Sequence, residues 1–463
     1  MFLIFFSCKK INKIEFPNII LVMTDDQGWG QTGYYNHPVL KTPNLDLMAA
    51  NGLRFDRFYA GAPQCSPTRA SVLTGRNNDR TGVFYHGYPL NKNEITIAQE
   101  LKKIGYSTGH FGKWHLNGLR GPGVPIFKDD EYSPSNFGFD EWISTSNFFD
   151  VNPVLSHNGS FMDFFGSSSE VIVNEALKFI KKNVKEGKPF FTVIWDGSPH
   201  DPFESDENDK KGFENLNKES REHYGEIVAF DRSLGVLRNS LLEMGISENT
   251  ILWYCSDNGG LKNIKPSTVG GLKGGKNTMW EGGLRVPAII EWPEMIKPGV
   301  TKYPASTMDI FPTILEIIKL KNNKKLNYFD GESIVDLFNS GKEKRSTKIP
   351  FRFDNRGALI DNNIKLIVHD IKNLDFGLYN LSNDPTESND ISLIEIDLFK
   401  KMKDEYIFWN KTVDSDIKKK KIVDPVQWRD SDKYFPFLDK WINRKEYSRY
   451  IKREPYSLLF FNN

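Results

Sequence analysis

Short apolar runs that break off in polar clusters recur along the first two thirds of the chain, with amphipathic stretches between them. Asn18–Thr24 is continuous and rich in Ile and Val, the pattern of a strand buried on both faces, and it stops at Asp25-Asp26. Thr42-Pro43 opens a helix through Ala50 that Asn51-Gly52 closes, and Leu53–Tyr59 reads as the next strand. Ile95–Ile104 has helical spacing and ends at Gly105; Tyr106–Phe111 is a short strand leading into Gly112-Lys113-Trp114-His115. Ser168–Val184 predicts a helix, Pro189–Trp195 a strand, and Lys218–Met244 a long helix stopped by Gly245. Ile251–Cys255 and Val286–Trp292 predict two further strands, and Met308–Ile318 another helix. Strands alternating with helices predict an α/β fold, a large and mostly parallel sheet with helices on both faces.

The polar clusters fall where such a fold gathers its ligands. Asp25-Asp26, Lys113 with His115, His200, and Asp257-Asn258 each follow a predicted strand. Ligands of open α/β sheets collect beyond the carboxyl ends of the strands, so residues far apart in sequence are expected to converge on one edge.

Past about residue 320 the pattern changes. Lys319–Lys325 is a charged, Asn-rich connector, expected to be a solvated loop. Ile364–His369 and Phe376–Leu381 predict short strands joined by turns, and Ile394–Trp409 a helix. These divide the chain into a leader over 1–16, a catalytic domain over 17–345 and a smaller α+β subdomain over 346–463. The basic run Lys418–Lys421 reads as a solvated surface, and the aromatic tail from Trp428 to Phe461 as a segment that packs back on the body.

Composition changes this picture in two places. A formal net charge of +1 over 463 residues gives no global field for nucleic acid or an anionic membrane, so attraction for an anionic substrate has to be local. Three cysteines cannot supply a disulfide framework, and Cys255, inside an apolar run, is a core residue. The apolar run Phe2–Phe6, then Ser7, Cys8 and Lys9-Lys10, looks like the tail of a bacterial lipoprotein signal with Cys8 as the lipidated residue. Periplasmic or cell-surface attachment through that lipid is the expectation.

The chemistry centres on Cys65-Ser66-Pro67-Thr68-Arg69-Ala70-Ser71-Val72-Leu73-Thr74-Gly75-Arg76. Pro67 suits the first turn of a helix, which places Cys65 just ahead of an N-terminus where free N–H groups favour negative charge. Arg69, about one turn on, can reach back towards Cys65. Asp25, Asp26, Asp257 and Asn258 are hard oxygen donors, suited to Ca²⁺ or Mg²⁺ rather than zinc. Gly270 to Lys276 has the spacing of a phosphate-binding P-loop, but Asn277 stands where Ser or Thr is needed and no strand directly precedes the loop.

Cys-x-Pro-x-Arg followed by Leu-Thr-Gly-Arg resembles the signature of type I sulfatases of the alkaline-phosphatase-like superfamily. The resemblance implies that an oxidising maturation enzyme converts Cys65 to Cα-formylglycine. It assigns Asp25, Asp26, Asp257, Asn258 and an oxygen of the modified Cys65 to one divalent cation, calcium first and magnesium as the alternative. Gly112-Lys113-Trp114-His115 matches the family's Gly-Lys-Trp-His segment, which implies that Lys113 contacts the sulfate and that His115 works on a formylglycine hydroxyl. Pro199-His200-Asp201-Pro202-Phe203 matches the family's second histidine, on the leaving-group side. Gly274-Gly275-Lys276 matches its late Gly-Lys segment, making Lys276 a second sulfate-binding lysine, with Lys273 left as a rim charge. Leu378–Leu381 with Asp384–Glu387 resembles a hairpin of the sulfatase C-terminal subdomain. His86, His110 and His223 have no such match and read as structural.

The implied reaction is sulfate-ester hydrolysis. One hydroxyl of the aldehyde hydrate attacks sulfur, His200 with Lys276 protonates the leaving oxygen, and His115 deprotonates the second hydroxyl to expel sulfate. Arg69, Lys113, Lys276 and the metal are expected to neutralise the sulfuryl oxygens. A sulfated polysaccharide or oligosaccharide is the expected substrate. Two rivals stand beside this: a phosphonate or phosphate ester hydrolase of the same superfamily, and a catalytically inactive sugar-binding surface protein.

Overall fold

The computed structural model describes residues 16–427 apart from positions 122, 267, 321–327 and 341. The expected leader with Cys8, most of the Lys319–Lys325 connector and the aromatic tail lie outside the described residues. Among the described residues no helix is long and apolar enough to cross a membrane.

Four strands stand side by side and parallel at the middle of an eleven-stranded sheet, in the order Thr250–Ser256, Asn18–Thr24, Phe190–Trp195, Ser107–Lys113. Met23 lies opposite Trp195 on one side and Cys255 on the other, and Gly112 opposite Trp195, so the four strands end level. Alternate side chains of Asn18–Thr24 enter two different cores, as a strand buried on both faces requires. Ile19, Leu21 and Met23 pack with Val72 and Leu73 of the helix Cys65–Thr74, with Ile97 and Leu101, and with Ile310 and Phe311. Ile20 and Val22 pack with Val171 and Ile172 of Ser168–Glu186 and with Phe230 and Leu234 of Lys218–Glu243.

The flanks of the sheet depart from a purely parallel arrangement. Arg285–Glu291 runs antiparallel to both Thr250–Ser256 and Leu53–Tyr59, with its register shifting between Val286 and Ala288. The residue between them, Pro287, has no N–H to give to a ladder, which suits a bulge. At the other edge Glu141–Thr145 is parallel to Ser107–Lys113, and Val154–His157 and Ser160–Asp163 close the sheet as antiparallel strands. The helix Ile97–Lys103 starts two residues later than its periodicity predicts, because Thr96 and Gln99 form a capping box. Thr96 also donates to the Phe137 carbonyl at 2.6 Å. Thr96→Ala is expected to lower stability by about 1–2 kcal/mol, read as a fall in denaturant midpoint at unchanged m.

The second sheet is four-stranded and antiparallel in chain order: Ile349–Phe353, Arg356–Asp361, Ile364–Asp370 and Asp375–Asn380. One face carries Phe351, Phe353, Ala358 and Ile360 against Tyr59, Met279, Leu284 and Met308 of the large domain. The other carries Leu359, Leu366, Val368 and Leu378 beneath Met402 and Tyr406 of the helix Ile396–Lys418. That helix runs nine residues past the Trp409 end expected for it. The stretch resembling a hairpin, Leu378–Glu387, is instead the end of one strand followed by turns.

Charge ties the two sheets together. Lys365 pairs with Glu281 at 2.9 Å and with Glu387 at 2.8 Å, and all three side chains are fully buried. Tyr59 Oη donates to Glu281 Oε2 at 3.1 Å, and the Glu281 N–H to Glu387 Oε2 at 2.7 Å. Lys273 is therefore no rim charge: its Nζ donates to the Glu387 carbonyl at 2.9 Å and sits 3.5 Å from the centre of the Trp280 ring. The basic run Lys418–Lys421 is not uniformly solvated either, because Lys420 pairs with the buried carboxylate of Glu94.

Buried neutral histidines make the fold sensitive to acid. Burial, with Lys41 nearby, pushes His37 down to about 4, and burial pushes His223 down to about 3. Below the unfolded value of about 6.5 the unfolded chain binds more protons than the folded one, so stability is lost as pH falls from there. Denaturation at pH 5 is expected to show roughly 2–4 kcal/mol less stability than at pH 7.

Candidate active site

The level ends of the four parallel strands deliver the polar clusters to one place. Asp25 leaves its strand with its N–H on the Ser198 carbonyl at 3.0 Å, and the Asp257 N–H bonds the Thr24 carbonyl at 3.0 Å. Asp26 takes φ +59° and places its N–H 3.1 Å from Asp257 Oδ1, while Asn258 Nδ2 donates to Asp26 Oδ1 at 2.7 Å. Positive φ is uncommon for a non-glycine residue, though Asp tolerates it better than most. His115 likewise takes φ +54°, just past the strand that ends in Lys113.

Cys65 is the first residue of its helix rather than the residue ahead of it; Gln64 is the N-cap and makes no side-chain capping bond. The Gln64 amide instead donates to Asn277 Oδ1 at 2.7 Å and accepts the His86 N–H at 3.0 Å. Ser66 turns away from Cys65 to donate to the His115 carbonyl and to accept the Gly87 N–H, both at 2.7 Å. The residues on either side of Cys65 thus hold three cleft-wall loops in place.

Arg69 does not reach the cleft, contrary to the expectation that it faces the sulfuryl oxygens. Its Nη2 lies 2.7 Å from Asp25 Oδ2 and 2.8 Å from Asp257 Oδ2, its Nη1 donates to the Lys113 carbonyl at 3.0 Å, and the Trp195 ring lies beneath it at 5.1 Å. The side chain is wholly buried. A helix that presents Cys65 at its first residue points Arg69, one turn on, under the carboxylates.

The two lysines are divided between the two aspartates of the pair. Lys113 Nζ is 2.5 Å from Asp25 Oδ2, and Lys276 Nζ is 2.7 Å from each oxygen of Asp26. Burial opposes ionisation of Asp25, but Lys113, His200, Arg69 and Lys276 outweigh it and hold that carboxyl well below the usual range. Burial and the neighbouring Asp25 push Asp257 up to about 7 in spite of Arg69. For Lys276 burial is overcome by Asp26, Cys65 and Asp25, which raise its pKa. Burial lowers His115 well below its ordinary value, with Lys113 adding to the effect. His200 is pushed down to about 4 by burial and then by Lys276 and Lys113. Burial raises the Cys65 thiol.

Cys65, His115, His200 and Lys276 line one cleft of about 530 Å³, with Lys113 and the carboxylates packed beneath it. The cleft also holds residues that the sequence motifs do not mark. His86, left as structural, stands with its ring 6.4 Å from that of His115. Phe148 stacks on His200 at 5.0 Å with the rings 9° apart, and Arg120 forms part of the wall. His110 and His223 stay outside the cleft: His110 bonds Ser144 Oγ and His223 bonds Gln31, each at 2.7 Å.

The residues present fit a hard divalent cation. Asp25 Oδ1 and Asn258 Oδ1 are buried acceptors without a hydrogen-bond partner among the described residues. Ligand atoms of Asp25, Asp26 and His200 lie within 4.8 Å of one another, which brings an imidazole up to the carboxylate pair.

Comparison with known proteins agrees with this geometry. The family model described as Sulfatase matches residues 17–320. Over 350 residues the chain is 34% identical to an N-acetylgalactosamine-6-sulfatase of Rattus norvegicus, covering 66% of this chain and 62% of that enzyme's length. It is 30% identical to an ulvan-active sulfatase of Formosa agariphila, covering 72% of this chain and 68% of the relative. The crystal structure of Ps i-CgsB superimposes with a TM-score of 0.78 at 25% identity, over 94% of this chain and 99% of that one. With the matched region running from the first central strand to the end of the helix Ile310–Ile317 and beyond, the chain belongs to the sulfatase family.

Proposed function

We propose that this protein hydrolyses a sulfate ester carried on a saccharide, after conversion of Cys65 to Cα-formylglycine. The observation that carries the reading is the meeting of Cys65 with Lys276, His115, His200 and the Asp25/Asp26 and Asp257/Asn258 clusters at one sheet edge. The names of the relatives, an N-acetylgalactosamine-6-sulfatase and an ulvan-active sulfatase, support a saccharide as the leaving group. A formylglycine hydrate at position 65 supplies a hydroxyl to attack sulfur and a second on the same carbon that lets sulfate depart. Asp25, Asp26, Asp257 and Asn258 would hold a divalent cation, calcium or magnesium, which supplies positive charge beside the nucleophile.

The remaining work falls to this chain's own side chains. Lys276 brings an ammonium group to an anionic sulfuryl group from the cleft wall and Lys113 adds a second positive charge from the floor, which together offset charge as the ester bond breaks. His200, with 17% of its side chain exposed, stands on the open side beside Lys276; the negative charge of a bound sulfate ester favours its protonated form, in which it shares with Lys276 the protonation of the leaving sugar oxygen. His115 has neither ring nitrogen bonded to a described residue, which leaves the imidazole free to take the proton that releases sulfate. Arg69 acts as a positioning residue that fixes Asp25 against Asp257. A maturation enzyme in the host and attachment through a lipid on Cys8 complete the proposal.

Protein produced in its native host is expected to release inorganic sulfate from an aryl sulfate and to carry the thiol-to-aldehyde mass change on the Cys65 peptide. Faster turnover of an aryl phosphate or phosphonate would favour phosphorus chemistry. Unmodified Cys65 together with no turnover would leave the sugar-binding reading.

A further inference from the structure

Among the cations of the cleft and its floor, Arg120 alone has no carboxylate partner within ion-pair distance among the described residues. Lys113 is paired with Asp25, Lys276 with Asp26, and Arg69 with Asp25 and Asp257. Arg120 is nonetheless held in place. Its backbone lies in the two-residue strand Leu119–Arg120, paired in parallel with Val426–Gln427. Its Nε donates to the His86 carbonyl at 2.8 Å, and its guanidinium stands 5.4 Å from the Tyr88 ring and 5.9 Å from the Tyr85 ring. Gly87, at φ +80°, leaves room for the arginine stem: a Cβ there would lie 2.4 Å from Arg120 Cγ. Stacked, anchored through Nε and lining the cleft, the guanidinium donates from neither Nη to a described residue.

We infer that Arg120 forms a second oxyanion subsite, which selects saccharides bearing another sulfate or carboxylate beside the sulfate ester that is cut. His86 gives the direction from one subsite to the other. Its carbonyl takes the Arg120 Nε–H while its ring lies 6.4 Å from that of His115, beside the reacting centre. Burial, and then the positive charges of Arg120, Lys276 and Lys113, push this imidazole down to about 4, as expected for a neutral spacer between two cationic subsites. A planar fork suits a carboxylate or a sulfate equally, so the sugar's second anion is defined here by charge and geometry.

The inference rests on the sulfatase reading, and the test separates the two. Initial rates of the converted protein are measured on three related oligosaccharides: monosulfated, bis-sulfated, and monosulfated with a neighbouring uronate. Arg120→Ala is expected to reduce the preference for either dianionic substrate over the monosulfated one by about 30-fold, mostly through KM. Arg120→Lys is expected to restore part of that preference, and Arg120→Gln replaces Arg120→Ala if the alanine variant does not fold. Loss confined to one dianionic substrate identifies which anion is read. A preference ratio that Arg120→Ala and Arg120→Gln leave unchanged overturns the subsite while the sulfatase reading stands; no turnover of any sulfate ester by the converted wild type overturns the sulfatase reading itself.

Discussion

On the proposed function, Cys65→Ala is expected to lower sulfate-ester turnover by at least about 10⁴-fold, because it removes the thiol whose oxidation would give the aldehyde at Cβ and so leaves no hydrate hydroxyl to attack sulfur. Wild-type protein made without conversion is expected to show the same loss. Burial raises the Cys65 thiol above its ordinary pKa, so an unconverted cysteine at this position holds its proton and cannot substitute for the hydrate. The fold should survive both changes. The Cys65 side chain makes no hydrogen bond to a described residue, whereas its neighbours Gln64 and Ser66 carry the bonds to the surrounding loops. Steady-state rates of sulfate release, set beside melting curves that stay close to wild type, would check the expectation. A variant retaining more than about 1% of the converted enzyme's rate would remove Cys65 from the reaction.

The second large effect concerns folding. Lys365→Met is expected to cost about 3–5 kcal/mol, because it leaves Glu281 and Glu387 buried against each other without the ammonium between them. Glu387 is the more vulnerable carboxylate: burial raises its pKa, and the Lys365 ammonium is the charge that most opposes that rise. Denaturant melts of wild type, Lys365→Met and the double variant Lys365→Met with Glu387→Gln provide the measurement. The double variant should recover part of the loss, since Glu281 keeps Arg285 at 3.7 Å and neutralising Glu387 removes the carboxylate left without its cation. Equal stability of wild type and Lys365→Met would show that water or another cation reaches the pair.

The central fold was legible because its strands are buried on both faces and so read as unbroken apolar runs. Asn18–Thr24 and Leu53–Tyr59 have the same bounds in sequence and in structure. Strands at the periphery carried no such signal. Glu141–Thr145, Val154–His157 and Ser160–Asp163 are four or five residues long and fall in a stretch without periodicity, and Ile349–Phe353 is interrupted by Pro350. The direction of Arg285–Glu291 was hidden too, since an apolar run reads the same whichever way it pairs.

The site divides along a similar line. Asp25, Asp26, Lys113, His115, His200, Asp257 and Lys276 stand in strand-end or glycine-rich motifs, and the structure brings them together. Arg69 could be placed near Cys65 from helix spacing, but not assigned to the carboxylates below, because that depends on how the helix sits over the sheet. His86 and Phe148 reach the cleft from connecting segments and Arg120 from a two-residue strand, where nothing in local spacing marks them. Glu387 gave no warning of its burial either, standing between Asp384 and Asp390 in a polar stretch.

The level ending of four neighbouring strands has a consequence for how such an enzyme can diversify. Groups suspended from a hydrogen-bonded sheet keep the separations that the ladder spacing imposes, so the cutting machinery tolerates little drift. Arg120, on a two-residue strand of a separate small sheet, and Phe148, on a connection, stand outside that ladder, where the chain can change without disturbing it. On the proposed function, a descendant of this chain could exchange one sugar for another by editing its loops, inheriting the bond-breaking apparatus intact.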